Sequence, residues 1–331
     1  MGTSTGPVMA ESGVAHISVL AQEVCAALVP ALEAQEAPTR ILVDATTGLG
    51  GHTLALLEVS QPSRALLFDR DPQALQAARR RLGPTSCPVE FVHADFARLG
   101  EELVARGIQQ VAAIVADLGV SSMQLDQVER GFSFRGDAPL DMRMDPTRGP
   151  SAAEVLAEID EERLSRILRE YGEEPEARRI AAAVVAARPT TTGALAEVVT
   201  EAQSGRARRK LGARIHPATR TFMALRIEVN DELGQLDRFL VEAPERLRVG
   251  GRLAVITFHS LEDRRVKRRF RAVGRPPQPP AHLPLTEREL PRPRFRVPAG
   301  YEGGTRAGPE EIEANPRARS ARLRVLERCT P

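Results

Sequence analysis

The sequence predicts an α/β fold, a doubly wound and mostly parallel sheet with a helical insertion after the fourth strand. Three observations carry that prediction. Residues 40–118 alternate short, continuous apolar runs with stretches of helical period. From about residue 126 to 217 the strand pattern disappears and only helical periodicity remains. Strand chemistry then resumes in "GGRLAVITF", residues 250–258.

The elements follow in order. "RILVDAT" is a buried-strand run, and "GHTLALLEV" after it reads as a helix. "RALLFDRD" is the second strand. Asp71 and Pro72 then open the helix "PQALQAARRRL", aspartate at the N-cap and proline at the first helical position. "VEFVHADF" and "VAAIVADLG" are strands three and four, separated by the helical "ARLGEELVARG". In the insertion, "SAAEVLAEIDEERLSRILREYG" begins with a capping box, Ser151 with Glu154. "EPEARRIAAAVVAAR" and "TTGALAEVVTEAQ" continue the helical pattern, and an amphipathic helix, "DELGQLDRFLVEAPERLRV", leads back to the sheet. Residues 272–298 hold eight prolines and read as an irregular surface excursion, while "SARLRVLER" alternates as a last strand. The resulting division is 1–125 and 218–331 for the two parts of the sheet domain, and 126–217 for the insertion.

Composition narrows the class. No apolar stretch approaches the length of a membrane span, and the first dozen residues lack a signal-peptide pattern. Three widely spaced cysteines, Cys25, Cys87 and Cys329, suggest neither a disulfide framework nor a zinc site. A reduced, cytoplasmic protein is expected, with no metal centre. The net charge of +2 hides two basic blocks. One holds Arg206, Arg208, Arg209, Lys210, Arg214, Arg220 and Arg226 without an acid among them, and the other is "RRVKRRFR" at 264–271. Such blocks are either solvated faces or contacts to nucleic-acid phosphates.

"ILVDATTGLGGHTLALL", residues 41–57, is a strand, a glycine-dense turn and a helix. That layout suits the pyrophosphate of a dinucleotide or the amino-acid end of S-adenosylmethionine. Thr53 stands where the dinucleotide fingerprint wants its third glycine. Asp69 ends the second strand and can accept both ribose hydroxyls of either ligand. Asp44, just before the glycines, would repel a pyrophosphate but could receive a methionine ammonium. With Asp69, Asp95 and Asp117 it makes four strand-end carboxylates, which together favour a sulfonium ligand. Singly, each could instead cap the helix that follows it.

Here the sequence resembles a known family. "HISVLAQEV", "DATTGLGGH", "DRDPQAL", "DLGVSSMQLDQVERGFSFRGDAPLDMRMD", "YGEEPEARRIA", "HPATRTFMALRIEVNDEL", "GGRLAVITFHSLEDRRVK" and "NPRARSARLRV" are similar, in order from His16 to about Val325, to the RsmH (MraW) family. The resemblance implies a Rossmann-like, class I S-adenosylmethionine-dependent methyltransferase with its insertion after strand four. It implies methylation of N4 of a cytidine in bacterial 16S rRNA, cytidine 1402 of the decoding region, on the small ribosomal subunit. Carried over position by position, the cofactor contacts fall on Gly50, Gly51, His52, Asp69, Phe96, Asp117 and Gln124, beside Asp44 from the reading above. Phe96 offers a face for adenine, or is a core aromatic. His52 touches the ligand, or only starts a helix.

The N4 amine of cytosine is a poor nucleophile because its lone pair is delocalised into the ring. An acceptor for its hydrogens and in-line positioning supply the help it needs, and a strong general base is not required. Asp117 is the expected group, with His216 in "HPATR" and His259, beside Asp263 in "FHSLEDR", as secondary candidates. "Asp117-Leu118-Gly119-Val120" departs from the diproline-aromatic pattern of DNA amino-methyltransferases. The target base must be extruded or unpaired. Arg143, Arg206, Arg208, Arg209, Lys210, Arg214, Arg220, Arg264, Arg265 and Lys267 are the expected RNA contacts. The scarcity of aromatic residues points to recognition by shape, and 132–145 reads as a loop closing over cofactor or base, fixed by Arg143 or Asp141. Other readings are an amino-methyltransferase on another RNA, DNA or protein, an NAD-dependent oxidoreductase, and a non-catalytic RNA-binding assembly factor.

Overall fold

The computed structural model describes residues 18–205, 209, 216–275 and 293–330. Its seven-stranded sheet comprises β1 (Ile41–Asp44), β2 (Arg64–Asp69), β3 (Val89–His93), β4 (Val111–Asp117), β5 (Leu247–Thr257), β6 (Phe295–Arg296) and β7 (Arg322–Arg328). The strand order is β3-β2-β1-β4-β5-β7-β6. The first five pair in parallel, and β7 runs antiparallel to both β5 and β6. Side chains alternate between two buried layers, as the two-residue period of a strand requires. Val43, Leu66, Phe68, Ile114 and Val255 enter one layer, and Leu42, Leu67, Val115, Ala254 and Ile256 enter the other. Both faces are covered, which is why these strands read as unbroken apolar runs.

The local signals for helix starts hold. Asp71 accepts from the amide of Gln73 with Pro72 at the first helical position, and Ser151 and Glu154 form a reciprocal capping box. Two details differ from expectation. The amphipathic helix preceding β5 stops at Glu245, and β5 begins at Leu247, because Leu247 finds a partner in Val111 on β4. The proline-rich excursion also contains a strand: Phe295 of β6 pairs with Arg328 and is buried in the core. Its two residues are too short to leave a periodic signal.

Contacts divide the chain into two compact units, residues 1–119 with 235–331, and residues 120–234. The second unit therefore runs past residue 217, the expected end of the insertion. The helix Thr219–Asn230 inserts Phe222, Ala224 and Leu225 into the same core as Leu164, Leu168, Ile180 and Val184, so it belongs with the helices before it. Within this unit Gly131 adopts a left-handed conformation, φ 73°. A Cβ there would come within 2.6 Å of the Pro139 carbonyl oxygen and 2.7 Å of the Asp141 amide nitrogen. Both are backbone atoms and neither can rotate away. Gly131→Ala is expected to cost about 3 kcal/mol of stability, read by chemical denaturation. A loss under about 1 kcal/mol would show that the turn relaxes at little cost.

Candidate active site

The loop between β1 and the helix Gly51–Val59 is tied down at several points. Thr47 donates its amide (2.8 Å) and its hydroxyl (2.9 Å) to the carbonyl of Phe68 on β2. The amide of Gly48 donates to Asp69 Oδ2 at 2.7 Å. The glycines have separate reasons to be glycine. Gly48 and Gly50 are left-handed, φ 51° and 75°, where a side chain is strained. Gly51 is not; a Cβ there would collide with Ser18, whose hydroxyl lies 1.9 Å from that position. Around the Cβ position of Gly48, by contrast, there is nothing within 4 Å. Gly48 is thus where the loop leaves room for a ligand.

The four strand-end acids have internal partners that sequence could not show. Asp44 is buried and accepts from the amide of Thr46 (3.2 Å) and the hydroxyl of Thr53 (2.7 Å). Thr53 therefore stands in the third-glycine position with a task, holding the acid at the end of β1. Burial pushes the Asp44 carboxyl up from the usual range, against the hydrogen bond from Thr53 and the charge of His52. Asp69 accepts from Gly48 and, at 2.8 Å, from the amide of Asp71. Its carboxyl is pushed up to about 6, chiefly by burial and against those two amides. Asp95 pairs with Arg70 at 2.9 Å. For Asp44 and Asp69 the carboxylates hold the loops that follow them, and Asp95 is neutralised. The surplus negative charge inferred from sequence is smaller than the count of acids implies.

Asp117 differs. Its backbone amide donates to Thr46 Oγ1 at 2.6 Å, and its Oδ2 lies 3.4 Å from Nε2 of the buried His52. Its Oδ1 is buried without a hydrogen-bond partner among the described residues. Burial works to lower the His52 pKa, but the hydrogen bond and charge of Asp117, with the charge of Asp44, override it and raise the value above normal. His52 is thus a buried ring set beside the Asp117 carboxylate, more than a helix-start residue. Thr46, Thr47 and Ser18 are the residues around the site that sequence reading missed. Only the threonine pair ahead of the glycines offered a signal.

These residues fit S-adenosylmethionine. Gly48 leaves open space, Asp69 keeps acceptor capacity beyond its two amide bonds, and the Asp117 oxygen awaits a donor. Phe96 follows β3, half-buried, its ring edge-on to Phe239 at a centroid distance of 5.2 Å. It is packed at the core margin, between its two sequence readings. The conformation of His259 corrects one expected pairing. Its Nε2 lies 3.0 Å from Glu262, whereas Asp263 is taken by a two-point contact from Arg324 and by Arg322. Arg324 is a distant strand residue, outside the reach of any local motif.

In the helical unit, Gln124 closes a capping box, its Oε1 accepting from the amide of Ser121 at 3.0 Å. Arg143 makes a two-point contact with Asp141, at 2.7 and 2.8 Å. The segment 132–145 is no loose flap. Leu140, Met142 and Met144 lie in the helical core, and Asn230 takes the amide of Met144 while donating to the carbonyl of Met142. His216 stacks on Phe134. Arg220 donates to the Glu173 carbonyl, and Arg226 makes a two-point contact with Glu232. Arg209 is exposed; Arg206, Arg208, Lys210 and Arg214 lie outside the described residues.

The second basic block forms the helix Ser260–Val273 in the sheet unit. Arg265 reaches Asp237 and Arg269 donates to the Leu240 carbonyl, so both are spent on packing. Arg264, Lys267, Arg268, Arg271 and Arg275 line a groove of about 430 Å³. The groove gives the second basic block a cationic lining.

The strand order, with an antiparallel β7 inserted between β5 and β6, and the glycine loop at the end of β1 define a Rossmann-like, class I S-adenosylmethionine-dependent methyltransferase. The chain belongs to the MraW methylase family, which it matches from residue 13 to residue 329. It is 48% identical to the ribosomal RNA small subunit methyltransferase H of Nocardioides sp. JS614, covering 96% of this chain and 98% of that one. With the protein of the same name from Aromatoleum aromaticum it shares 46% identity over 95% and 96% of the two chains. A solved rRNA methylase from Streptococcus thermophilus is more distant, at 14% identity and a TM-score of 0.35 over 93% of each chain. The fold is therefore read from the strand order itself. Among the described residues no helix is long and apolar enough to cross a membrane.

Proposed function

We propose that this protein methylates N4 of a cytidine in the 16S rRNA of the small ribosomal subunit, cytidine 1402 by family resemblance, using S-adenosylmethionine. The near full-length identity to small subunit rRNA methyltransferases supports the substrate class. The single observation that carries the chemistry is the buried oxygen of Asp117 at the end of β4, which has no hydrogen-bond partner among the described residues. The bound cofactor supplies an electrophilic methyl group. Gly48, Gly50 and Gly51 give backbone access to its amino-acid end, Asp69 accepts from its ribose, and Phe96 flanks its base. Asp117 accepts a hydrogen from the N4 amine and favours a pyramidal nitrogen aimed along the transfer axis. The His52 ring, 3.4 Å from Asp117 Oδ2, holds that carboxylate in place. Such a substrate puts the activity in the cytoplasm.

The test uses small subunits from a strain lacking the modification, labelled cofactor, and mass analysis of the digested nucleosides. N4-methylcytidine is the expected product. Cofactor binding with no transfer to subunits or free rRNA would overturn the substrate.

The groove on the helix Ser260–Val273 makes a separate prediction about RNA binding. With Lys267, Arg268 and Arg271 all changed to glutamine, the salt dependence of the KM for subunits should flatten by about 2 units of log–log slope. An unchanged slope would show that these cations face only solvent.

A further inference from the structure

Aromatic residues are few in this chain, ten Phe and two Tyr with no Trp, so where they gather on the surface is informative. In the helical unit Phe134 and His216 lie with ring centroids 4.4 Å apart and planes 25° from parallel. Behind them Phe222, which is buried, meets Phe134 edge-on at 5.1 Å and 80°. Phe134 is thereby seated against the helical core, and His216 lies over it.

His216 is nevertheless exposed. With one face on Phe134, the opposite face of the ring is the one a stacking partner would use. The imidazole is also oriented: its Nδ1 accepts from the amide of Ala218 at 3.2 Å, which leaves the proton of the neutral ring on Nε2. Pro217 restricts the backbone of His216 to extended conformations. A flat, exposed ring is thus held in place by three constraints. Ordering an exposed side chain costs entropy, and a partner that stacks on it afterwards does not pay that cost. Beside Phe134 in the chain, Arg135 is exposed as well, so a cation accompanies the ring.

We infer that the His216–Phe134 stack is a landing surface for an unpaired nucleobase of the substrate RNA. This inference rests on the rRNA methyltransferase reading above. Histidine and phenylalanine faces are a common means of holding splayed bases, and an adjacent arginine suits the phosphate that comes with the base. His216 is on this view a specificity residue, and the proton chemistry considered for it from sequence is not its role.

The experiment uses the full-length protein and two probes. The first is a short unstructured RNA carrying one 2-aminopurine, whose fluorescence is quenched when the base stacks. The second is the unmodified small subunit in a methyl-transfer assay. His216→Ala should abolish the quenching and raise the KM for subunits on the order of tenfold. His216→Tyr, which keeps a stacking face, should restore both to within about threefold of the wild type. Cofactor affinity, measured by calorimetry, should be unchanged in both variants. Wild-type quenching and KM in His216→Ala would overturn the inference. So would a His216→Tyr variant as impaired as His216→Ala, or a loss of cofactor affinity, which would assign the ring to the cofactor. Should the wild type fail to methylate subunits yet still quench the RNA probe, the proposed substrate falls and the landing surface stands.

Discussion

Asp117→Ala is expected to lower kcat for methyl transfer to small subunits roughly a hundred- to a thousandfold, the scale seen when one preorganised polar group is removed from a reaction centre. The backbone of Asp117 is held by Thr46 Oγ1 and not by its own side chain, so the strand end should survive the change. The loss should therefore appear in kcat with little change in cofactor affinity. His52 reports on the same substitution. Without Asp117 the desolvation of its buried ring meets only the charge of Asp44 and more distant groups, so its titration midpoint should fall. An NMR titration of the His52 ring would show this, and a neutral ring would spare the protein an uncompensated buried cation. Asp117→Asn keeps one acceptor oxygen and should fall between the two. A kcat within about fivefold of wild type in Asp117→Ala would remove the residue from the mechanism.

Asp69→Ala should weaken cofactor binding about a hundredfold, since a carboxylate's hydrogen bonds to a ligand are charge-assisted and each is worth about 1.5–3 kcal/mol. Part of that loss arises indirectly, because the same carboxylate holds the amide of Gly48 in the loop. The pH dependence is the more discriminating signature. With its carboxyl pushed up to about 6, Asp69 is charged at neutral pH and protonated in mild acid. Its capacity to accept from two hydroxyls falls with the charge. Cofactor affinity should weaken roughly tenfold per pH unit below that value and level off above it. Stability of the free protein responds in the opposite sense. The folded-state pKa lies above the unfolded one, so this group's contribution is fully present below the unfolded value and is lost as pH rises through about 6. Asp69→Asn removes both effects while keeping one acceptor. Calorimetry from pH 5 to 8 on wild type and variant separates them, and a flat wild-type profile would count against the carboxylate as the ribose acceptor.

Much of the sheet was readable because its signals are short in range. Apolar runs, the Asp71-Pro72 helix start and the Ser151–Glu154 box each occupy a few consecutive residues. The glycine loop and the acids closing β1, β2 and β4 were legible for the same reason. The missed pieces share one property. β6 is two residues long, and its burial depends on β7. The helix Thr219–Asn230 has an apolar face that either unit could have covered, and periodicity does not say which. The segment 132–145 reads as a closing loop in sequence, yet its anchor, Asn230, lies far along the chain.

The sequence by itself determined the five parallel strands, the break in the strand pattern after β4 and the family, since each follows from local pattern or from contiguous motifs. Only the tertiary structure decided which polar atoms are already satisfied. Asp44 and Asp69 hold loops, Asp263 belongs to Arg324 instead of His259, and Asp117 retains an oxygen to offer. The physical reason is that a charge is neutralised by whatever lies within a few ångströms of it. In this fold those neighbours come from strands and helices that the chain order keeps far apart.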